Sequence, residues 1–178
     1  MAKAPRATLT LTLLRHAKAA RDGVDGTDLS RPLTGRGRRN ADAVGAHMAE
    51  ARIAPSLILC SSAARTLETL DLVLPHLTGK PKVSLLDTLY LAGPLVLLKR
   101  LHAVPGKTSH VMIIAHNPGL HALALDLIAD GPQEQIGALG RKLPTSGLVV
   151  MNFALAAWEE VVAGTGTLVS FTAPGDSE

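Results

Sequence analysis

Short apolar segments alternate along the chain with segments that have helical spacing. Leucine occupies every second position of residues 8–14, which end in Leu-Leu, and this pattern predicts a strand. Continuous apolar runs at 57–60 and 111–114 predict buried strands, and residues 83–86 are similar in character. Residues 145–153 and 167–171 predict two closing strands, a candidate hairpin.

Leucines spaced three or four residues apart predict helices between these strands. Thr34 can cap a helix that runs to about Ala51, and either Ser61 or Ser62 can cap the next one. The apolar positions of the three later helices are Leu67, Leu70, Leu74 and Leu77; Leu95, Leu98 and Leu101; and Leu120, Leu123, Leu127 and Ile128. Residues 129–143 contain three glycines and one proline, which predicts a loop.

This alternation of strands and helices predicts an α/β fold with a mostly parallel central sheet and helices on both faces. The 178 residues, 47% of them hydrophobic, fit one domain with an ample core. We therefore expect a single domain over residues 1–178, with 1–7 and 173–178 as loose termini.

Charge and composition argue against several classes of binding partner. The net charge is only +3 and the basic residues are dispersed, whereas duplex binding needs a dense basic face. Four aromatic residues are too few for stacking on the bases of single-stranded nucleic acid, so we expect no nucleic-acid partner.

No apolar segment is long enough to span a bilayer, and we expect a monomeric, cytoplasmic protein that does not bind membranes. The single cysteine, Cys60, lies in an apolar run and is expected in the core.

Polar side chains collect where three predicted strands end. Arg15 and His16 follow the first strand, Ser61, Ser62 and Arg65 follow the second, and His116 and Asn117 follow the strand at 111–114. The carboxyl ends of parallel strands meet at one edge of a sheet, and ligands bind there in open α/β folds. Two arginines and two histidines at one edge indicate a site for phosphate or a similar anion.

The same charges disfavour a metal, because two guanidinium groups repel a divalent cation and no carboxylate directly follows either histidine. We expect no metal and no cofactor. The chain also lacks the G-x-x-x-x-G-K-[ST] loop of nucleoside triphosphatases. The remaining histidines are expected to be structural: His47, His76, His102, His110 and His121.

Four segments resemble the histidine phosphatase superfamily, which includes the phosphoglycerate mutases. Residues 13–19 (LLRHAKA) resemble its Arg-His signature, and the Lys-Ala continuation resembles the small phosphohistidine phosphatases of the SixA type. Residues 31–39 resemble the entry to its first helix, 60–69 its second arginine segment, and 114–120 (IAHNPGL) its second histidine segment. The resemblance covers residues 9 to about 130.

The resemblance implies a phosphoglycerate mutase-like fold and a role for each residue of the site. His16 would be the nucleophile that forms a phosphohistidine intermediate. Arg15 and Arg65 would bind the phosphoryl oxygens, and His116 would complete the pocket as a catalytic and phosphate-binding residue. Neutral imidazole is the nucleophilic form, and nearby arginines favour it.

A general acid is the part that these segments do not supply. Larger members of the superfamily use a carboxylic acid to protonate the leaving oxygen. Asp87, just past the strand at 83–86, is the first candidate, and Asp22, Asp25 and Asp28 in the loop at 19–33 are alternatives. Glu68 is expected on the helix surface or beside Arg65.

We therefore expect a metal-independent phosphatase that acts on phosphohistidine on a protein, because an imidazole leaves more easily than an alkoxide. The alternatives are a phosphatase of a small phosphorylated metabolite, a mutase, and a non-catalytic phosphate-binding module. A mutase would have to exclude water during transfer, and the short chain has little room for a lid.

Overall fold

One seven-stranded mixed sheet forms the centre of the computed structural model, which describes residues 8–174. Its strands are β1 (Leu9–Arg15), β2 (Leu57–Ser61), β3 (Lys82–Leu86), β4 (His110–Ala115), β5 (Ile128–Asp130), β6 (Leu148–Phe153) and β7 (Gly166–Thr172). Their order is β3-β2-β4-β1-β6-β7-β5, and four of the six pairings are parallel. The predicted mostly parallel sheet and the closing antiparallel pair β6–β7 are thus confirmed.

Helices cover both faces of the sheet, as predicted. They are α1 (Gly35–Glu50), α2 (Ala64–Val73), α3 (Pro94–His102), α4 (Gly119–Leu127) and α5 (Gln133–Arg141), with short 3₁₀ turns at Leu74–His76, Asp87–Leu89 and Trp158–Glu160. One apolar cluster joins α1 and α2 to the sheet, and another joins α3, α4 and α5 to the opposite face. Of the termini expected to be loose, 1–7 and 173–178, the structure describes only Ala173 and Pro174, which follow the end of β7.

The central strand β4 is apolar from Val111 to Ala115 because both of its faces are covered. In β4, Val111 and Ile113 pack into one cluster, while Met112 and Ile114 pack into the other. Cys60 is fully buried in β2, as expected, and burial raises the pKa of its thiol to about 12. Its thiol is therefore a core group, protonated at neutral pH.

The segment 129–143 was predicted as a loop, and this prediction is wrong. It contains most of β5 and all of α5. Leu139 is fully buried and Ile136 packs against the same cluster, whereas Gly137 and Gly140 lie on the exposed side of α5. Packing of one apolar face stabilises this helix despite its glycines, whose helix propensity is low.

The predicted serine caps of α2 are also wrong. The N-cap residue is Ala63, which makes no side-chain capping bond. The helix ends at Val73 because Pro75 follows and the chain tightens into the 3₁₀ turn. The hydroxyl of Ser61 instead contacts a histidine of the site described below. Within residues 8–174, no helix has the length and apolar character needed to cross a membrane.

A close backbone contact at Gly119 holds the start of α4 against the turn before α3. A Cβ atom at Gly119 would lie 1.8 Å from the carbonyl oxygen of Ala92. We expect Gly119→Ala to lower the free energy of unfolding by about 2 kcal/mol, since the backbone must shift to relieve the overlap. Urea unfolding would measure this, with Gly106→Ala as the control because a Cβ there meets nothing within 4 Å. Equal midpoints for the two variants would contradict the prediction.

Candidate active site

The two predicted histidines lie side by side because their strands are neighbours in register. Arg15 of β1 pairs with Ala115 of β4 in the parallel ladder, so His16 and His116 leave the sheet together. Their ring centroids are 5.3 Å apart. Strand β2 flanks β4 on its other side and brings Ser61 and the start of α2 to the same edge. The predicted gathering of polar groups at the carboxyl edge is present.

A cavity of about 260 Å³ opens at this edge, and we call it the catalytic cavity. It is lined by Arg15, His16, Asp28, Arg31, Arg65, Leu91, His116 and Asn117. All four residues predicted for phosphate chemistry are among them. Within the described part of the chain, no three His, Cys, Asp or Glu side chains cluster as a metal site requires.

The guanidinium of Arg65 is buried and held by a carboxylate. Only 3% of the residue is exposed. Its Nη1 donates to the carbonyl oxygen of Asp28 at 2.8 Å, and its Nη2 donates to Asp28 Oδ2 at 3.0 Å. These bonds fix the plane of the guanidinium in the wall of the cavity, where its remaining donors could meet a phosphoryl oxygen.

The imidazole of His16 has one ring nitrogen bound by the protein and the other without a bond to the residues that the structure describes. Its Nδ1 lies 2.7 Å from the carbonyl oxygen of Ala17, and because a carbonyl can only accept, Nδ1 carries the proton. In the neutral ring, Nε2 then has the free electron pair. Burial is the largest cause that lowers the pKa of His16; together with the charges of Arg65 and Arg15, and against the effect of the Ala17 carbonyl, it brings the pKa to about 4. The ring is therefore neutral at physiological pH.

His116 is oriented by Ser61, a contact that the sequence analysis missed. The hydroxyl oxygen of Ser61 lies 2.7 Å from Nε2 of His116 and also accepts the N–H of Ala63. Ser61 can then donate its own proton to Nε2, which leaves the His116 proton on Nδ1. That atom is buried without a partner among residues 8–174. Burial, followed by the neighbouring His16, lowers the pKa of His116 to about 3.

Asp28 is the carboxylate that lines the catalytic cavity. It accepts from the Tyr90 hydroxyl at 2.5 Å and from Nη1 of Arg31 at 2.6 Å, in addition to Arg65. The bond from Tyr90, followed by that from Arg31, holds the pKa of Asp28 well below its usual range. The ring of Tyr90 also stands edge-on to His116, with centroids 5.6 Å apart. From the sequence, Asp28 is only an alternative candidate for the acid, and no local pattern points to Tyr90.

The other acidic candidates do not line the catalytic cavity. Asp87 opens the 3₁₀ turn after β3, is exposed, and does not line the catalytic cavity. Asp22 is exposed, and Asp25 is bound within its own loop by Thr27 and Ser30. Glu68 pairs with Arg38 at 2.6 Å rather than with Arg65. The structure thus gives no support to Asp87 as the general acid.

The five histidines expected to be structural lie outside the cavity lining, and each makes a local contact. Their partners are Thr172 for His47, Asp42 for His76, the Val161 carbonyl for His102, Thr12 for His110 and the Leu139 carbonyl for His121.

The state of His16 can be tested directly by its titration. With its pKa lowered to about 4, the ring should stay neutral from pH 7 down to about pH 5 and gain its proton only below that. A free imidazole would already be mostly protonated at pH 5. NMR of the ¹⁵N-labelled protein would follow the chemical shifts of the imidazole nitrogens against pH. The spectrum of the His16→Gln variant would identify the signals of His16 by their absence. The neutral ring should carry its proton on Nδ1; a midpoint near 6.5 or a proton on Nε2 would contradict the geometry.

Comparison with known proteins places this arrangement in a family. The model of the histidine phosphatase superfamily (branch 1) matches residues 11–89. A Mycobacterium leprae protein of uncharacterized function is 32% identical over 165 residues, which cover 90% of this chain and 99% of that protein.

Two solved structures extend the match over almost the whole chain. One, assigned as the phosphohistidine phosphatase SixA of Agrobacterium tumefaciens, is 30% identical with a TM-score of 0.79, covering 93% of this chain and 98% of that one. The other, assigned as SixA of Nakamurella multipartita, has a TM-score of 0.83 at 28% identity and covers 96% and 99% of the two chains. The chain therefore belongs to the histidine phosphatase superfamily, in its SixA-type branch.

Proposed function

We propose that this chain is a metal-independent phosphatase that forms a phosphohistidine intermediate on Nε2 of His16 and acts on phosphohistidine carried by a protein. Family membership and the neutral, oriented imidazole beside two arginines support the phosphatase reaction. The observation that carries the choice of substrate is the state of Asp28, the carboxylate of the catalytic cavity.

In the first step, Nε2 of His16 attacks the phosphorus atom. A bond forms between Nε2 and phosphorus while the bond between phosphorus and the substrate nitrogen breaks. Arg65 and Arg15, which both line the catalytic cavity, supply the charge that stabilises the phosphoryl oxygens in the transition state. The Nδ1–H of His116 is a further donor to these oxygens. The Ala17 carbonyl stabilises the positive charge that develops on the His16 ring.

The leaving group decides whether an acid is needed. An alkoxide requires a proton from a positioned acid as it departs, whereas a phosphoimidazole with a proton on its distal nitrogen leaves as neutral imidazole. Asp28 is held as a carboxylate by Tyr90, Arg31 and Arg65, so it has no proton to donate at neutral pH. This favours a nitrogen leaving group.

In the second step, water attacks the phosphorus of the intermediate. The bond between Nε2 and phosphorus breaks, inorganic phosphate departs, and His16 regains its electron pair. The proton released by water passes to the phosphate or to solvent. The same arginines stabilise both transition states, because the transferred group occupies the same position in each.

The proposed substrate class can be tested by comparing leaving groups. Because general acid catalysis contributes at least about 100-fold, we expect kcat/KM for a histidine-phosphorylated protein domain to exceed that for glucose 6-phosphate by about that factor. Both are assayed with a metal chelator present. Equal or faster turnover of the sugar phosphate would favour the alternative, a phosphatase of a small metabolite. Binding of both substrates without turnover of either would favour a phosphate-binding module.

A further inference from the structure

A second and larger cavity adjoins the catalytic cavity. It measures about 440 Å³ and shares Arg15 with the catalytic cavity. Its polar lining comes from Arg15, Lys18, Arg36 and Lys142, with Asn40 and Thr145 beside them. We call it the basic cavity. The steps proposed above use Arg15 alone of these residues.

Within residues 8–174, no acidic side chain compensates the positive charge of the basic cavity. In the part of the chain that the structure describes, no carboxylate is among its lining residues. Within residues 8–174, the ion pairs are formed by Arg31, Arg38, Arg65 and His76, and none by the four cations of the basic cavity. Like charges around one concavity repel each other, and a bound anion relieves that repulsion.

One wall of the basic cavity is fixed by contacts between the segment after β1 and the start of α1. The carbonyl oxygen of Lys18 accepts the backbone N–H of Thr34 at 2.9 Å. A Cβ atom at Gly37 would lie 2.1 Å from that same oxygen, so the two backbones approach as closely as glycine allows. Lys18 and Arg36 are therefore brought together by a rigid contact.

The opposite wall is fixed to Arg15. Its backbone N–H donates to the Gly147 carbonyl at 3.1 Å, and its carbonyl accepts the Ser146 N–H at 3.1 Å. Its Nη1 donates to the Leu143 carbonyl at 2.9 Å, while its Nε is buried without a partner among the described residues. The loop that contains Lys142 and Thr145 is thus held beside the guanidinium that the two cavities share.

We propose that the basic cavity is a second anion-binding subsite, which holds a phosphate or carboxylate group of the same substrate whose phosphoryl group occupies the catalytic cavity. The inference rests on the proposed function, because it takes the catalytic cavity as the phosphoryl site. It adds a property of the substrate: the leaving group carries a second negative charge, such as an acidic side chain near the phosphohistidine of a protein.

The position of Arg15 favours one substrate across both cavities over two independent anions. A guanidinium has five N–H donors, and here one terminal nitrogen is oriented by Leu143 while donors remain for both sides. An anion in either cavity therefore lies close to Arg15, and two tethered anions can share its charge. Tethering also removes the entropic cost of binding the second anion separately.

Alkylene bisphosphonates test the subsite without relying on any leaving group. Ethylene to hexylene bisphosphonates would be compared, by isothermal calorimetry, with alkylphosphonates of equal chain length. We expect at least one bisphosphonate to bind about ten-fold tighter than its matched monophosphonate. One charged hydrogen bond between the second phosphonate and the basic cavity would supply a gain of this size. The double variant Arg36→Ala/Lys142→Ala should abolish this gain and leave the monophosphonate affinity unchanged. Arg39→Ala removes an exposed positive charge of α1 outside the cavity and should change neither.

The outcomes separate the subsite from the proposed function. If monophosphonates bind and no bisphosphonate binds tighter, the subsite is refuted and the phosphoryl site stands. If neither class binds, the proposed function and the subsite fail together. If the double variant weakens inorganic phosphate binding but leaves the bisphosphonate gain intact, the cavity holds a free anion, and the assignment to the substrate is wrong.

Discussion

Replacing His16 by alanine is expected to lower kcat/KM for an aryl phosphate by about 10⁵-fold or more, since loss of a nucleophile removes the covalent route entirely. The hydrogen bonds of the two histidines in the catalytic cavity explain why this loss is expected for His16 in particular. Its Nδ1 is bound to the Ala17 carbonyl, so Nε2 is the ring nitrogen that keeps a free electron pair for the proposed attack. No other imidazole in the cavity is arranged this way, because Nε2 of His116 is already bound to Ser61.

The control for this variant is His47→Ala. His47 lies on α1, contacts Thr172 and does not line the catalytic cavity, so its loss should leave kcat/KM unchanged. Circular dichroism and thermal unfolding of both variants would establish that the fold is retained. Activity of His16→Ala within ten-fold of the wild type would remove this residue from the mechanism.

Replacing Arg65 by alanine is expected to lower kcat/KM by about 10³-fold, the size of effect seen when a preorganised donor to the transition state is lost. Arg65 is almost fully buried and held by Asp28, so its donors are fixed in position before the substrate binds. Arg65→Lys should recover little activity, since an ammonium group cannot reproduce the planar fork that binds two oxygens at once.

The same variant has a second readout that loss of packing alone would not produce. The charge of Arg65 lowers the pKa of His16, so Arg65→Ala should raise the midpoint of the His16 titration toward its ordinary value. Arg38→Ala is the matched control, because Arg38 pairs with Glu68 on the surface and does not line the catalytic cavity. Equal losses of activity in both arginine variants would contradict the assigned role of Arg65.

The sequence predicted the position of the site because parallel strands impose it. Once 8–14, 57–60 and 111–114 are recognised as strands of one sheet, the residues that follow them must converge. The ladder between β1 and β4 then aligns His16 with His116 without further information. The binding of the phosphoryl group by Arg15 and Arg65 follows from the same topology and stays a prediction until measured.

The parts that sequence missed depend on contacts between distant segments. Asp28 lies in an irregular loop, and two of the residues that hold it as a carboxylate are distant: Arg65 is 37 positions and Tyr90 is 62 positions further along the chain. No local pattern reports such a contact, so Asp87, which follows a strand directly, looked the better acid. Helix α5 was missed for a related reason: its stability comes from Leu139 packing under the sheet, not from its own composition.

The most direct test of the account is to trap the phosphorylated enzyme. The protein would be mixed with an aryl phosphate in the presence of chelator, quenched in alkali, which preserves phosphohistidine, and analysed by peptide mass spectrometry and phosphorus NMR. We predict one phosphoryl group on Nε2 of His16, and none in the His16→Ala variant. A phosphoryl group on a different residue, or continued turnover by a protein in which rapid quenching finds no phosphohistidine, would contradict the central claim.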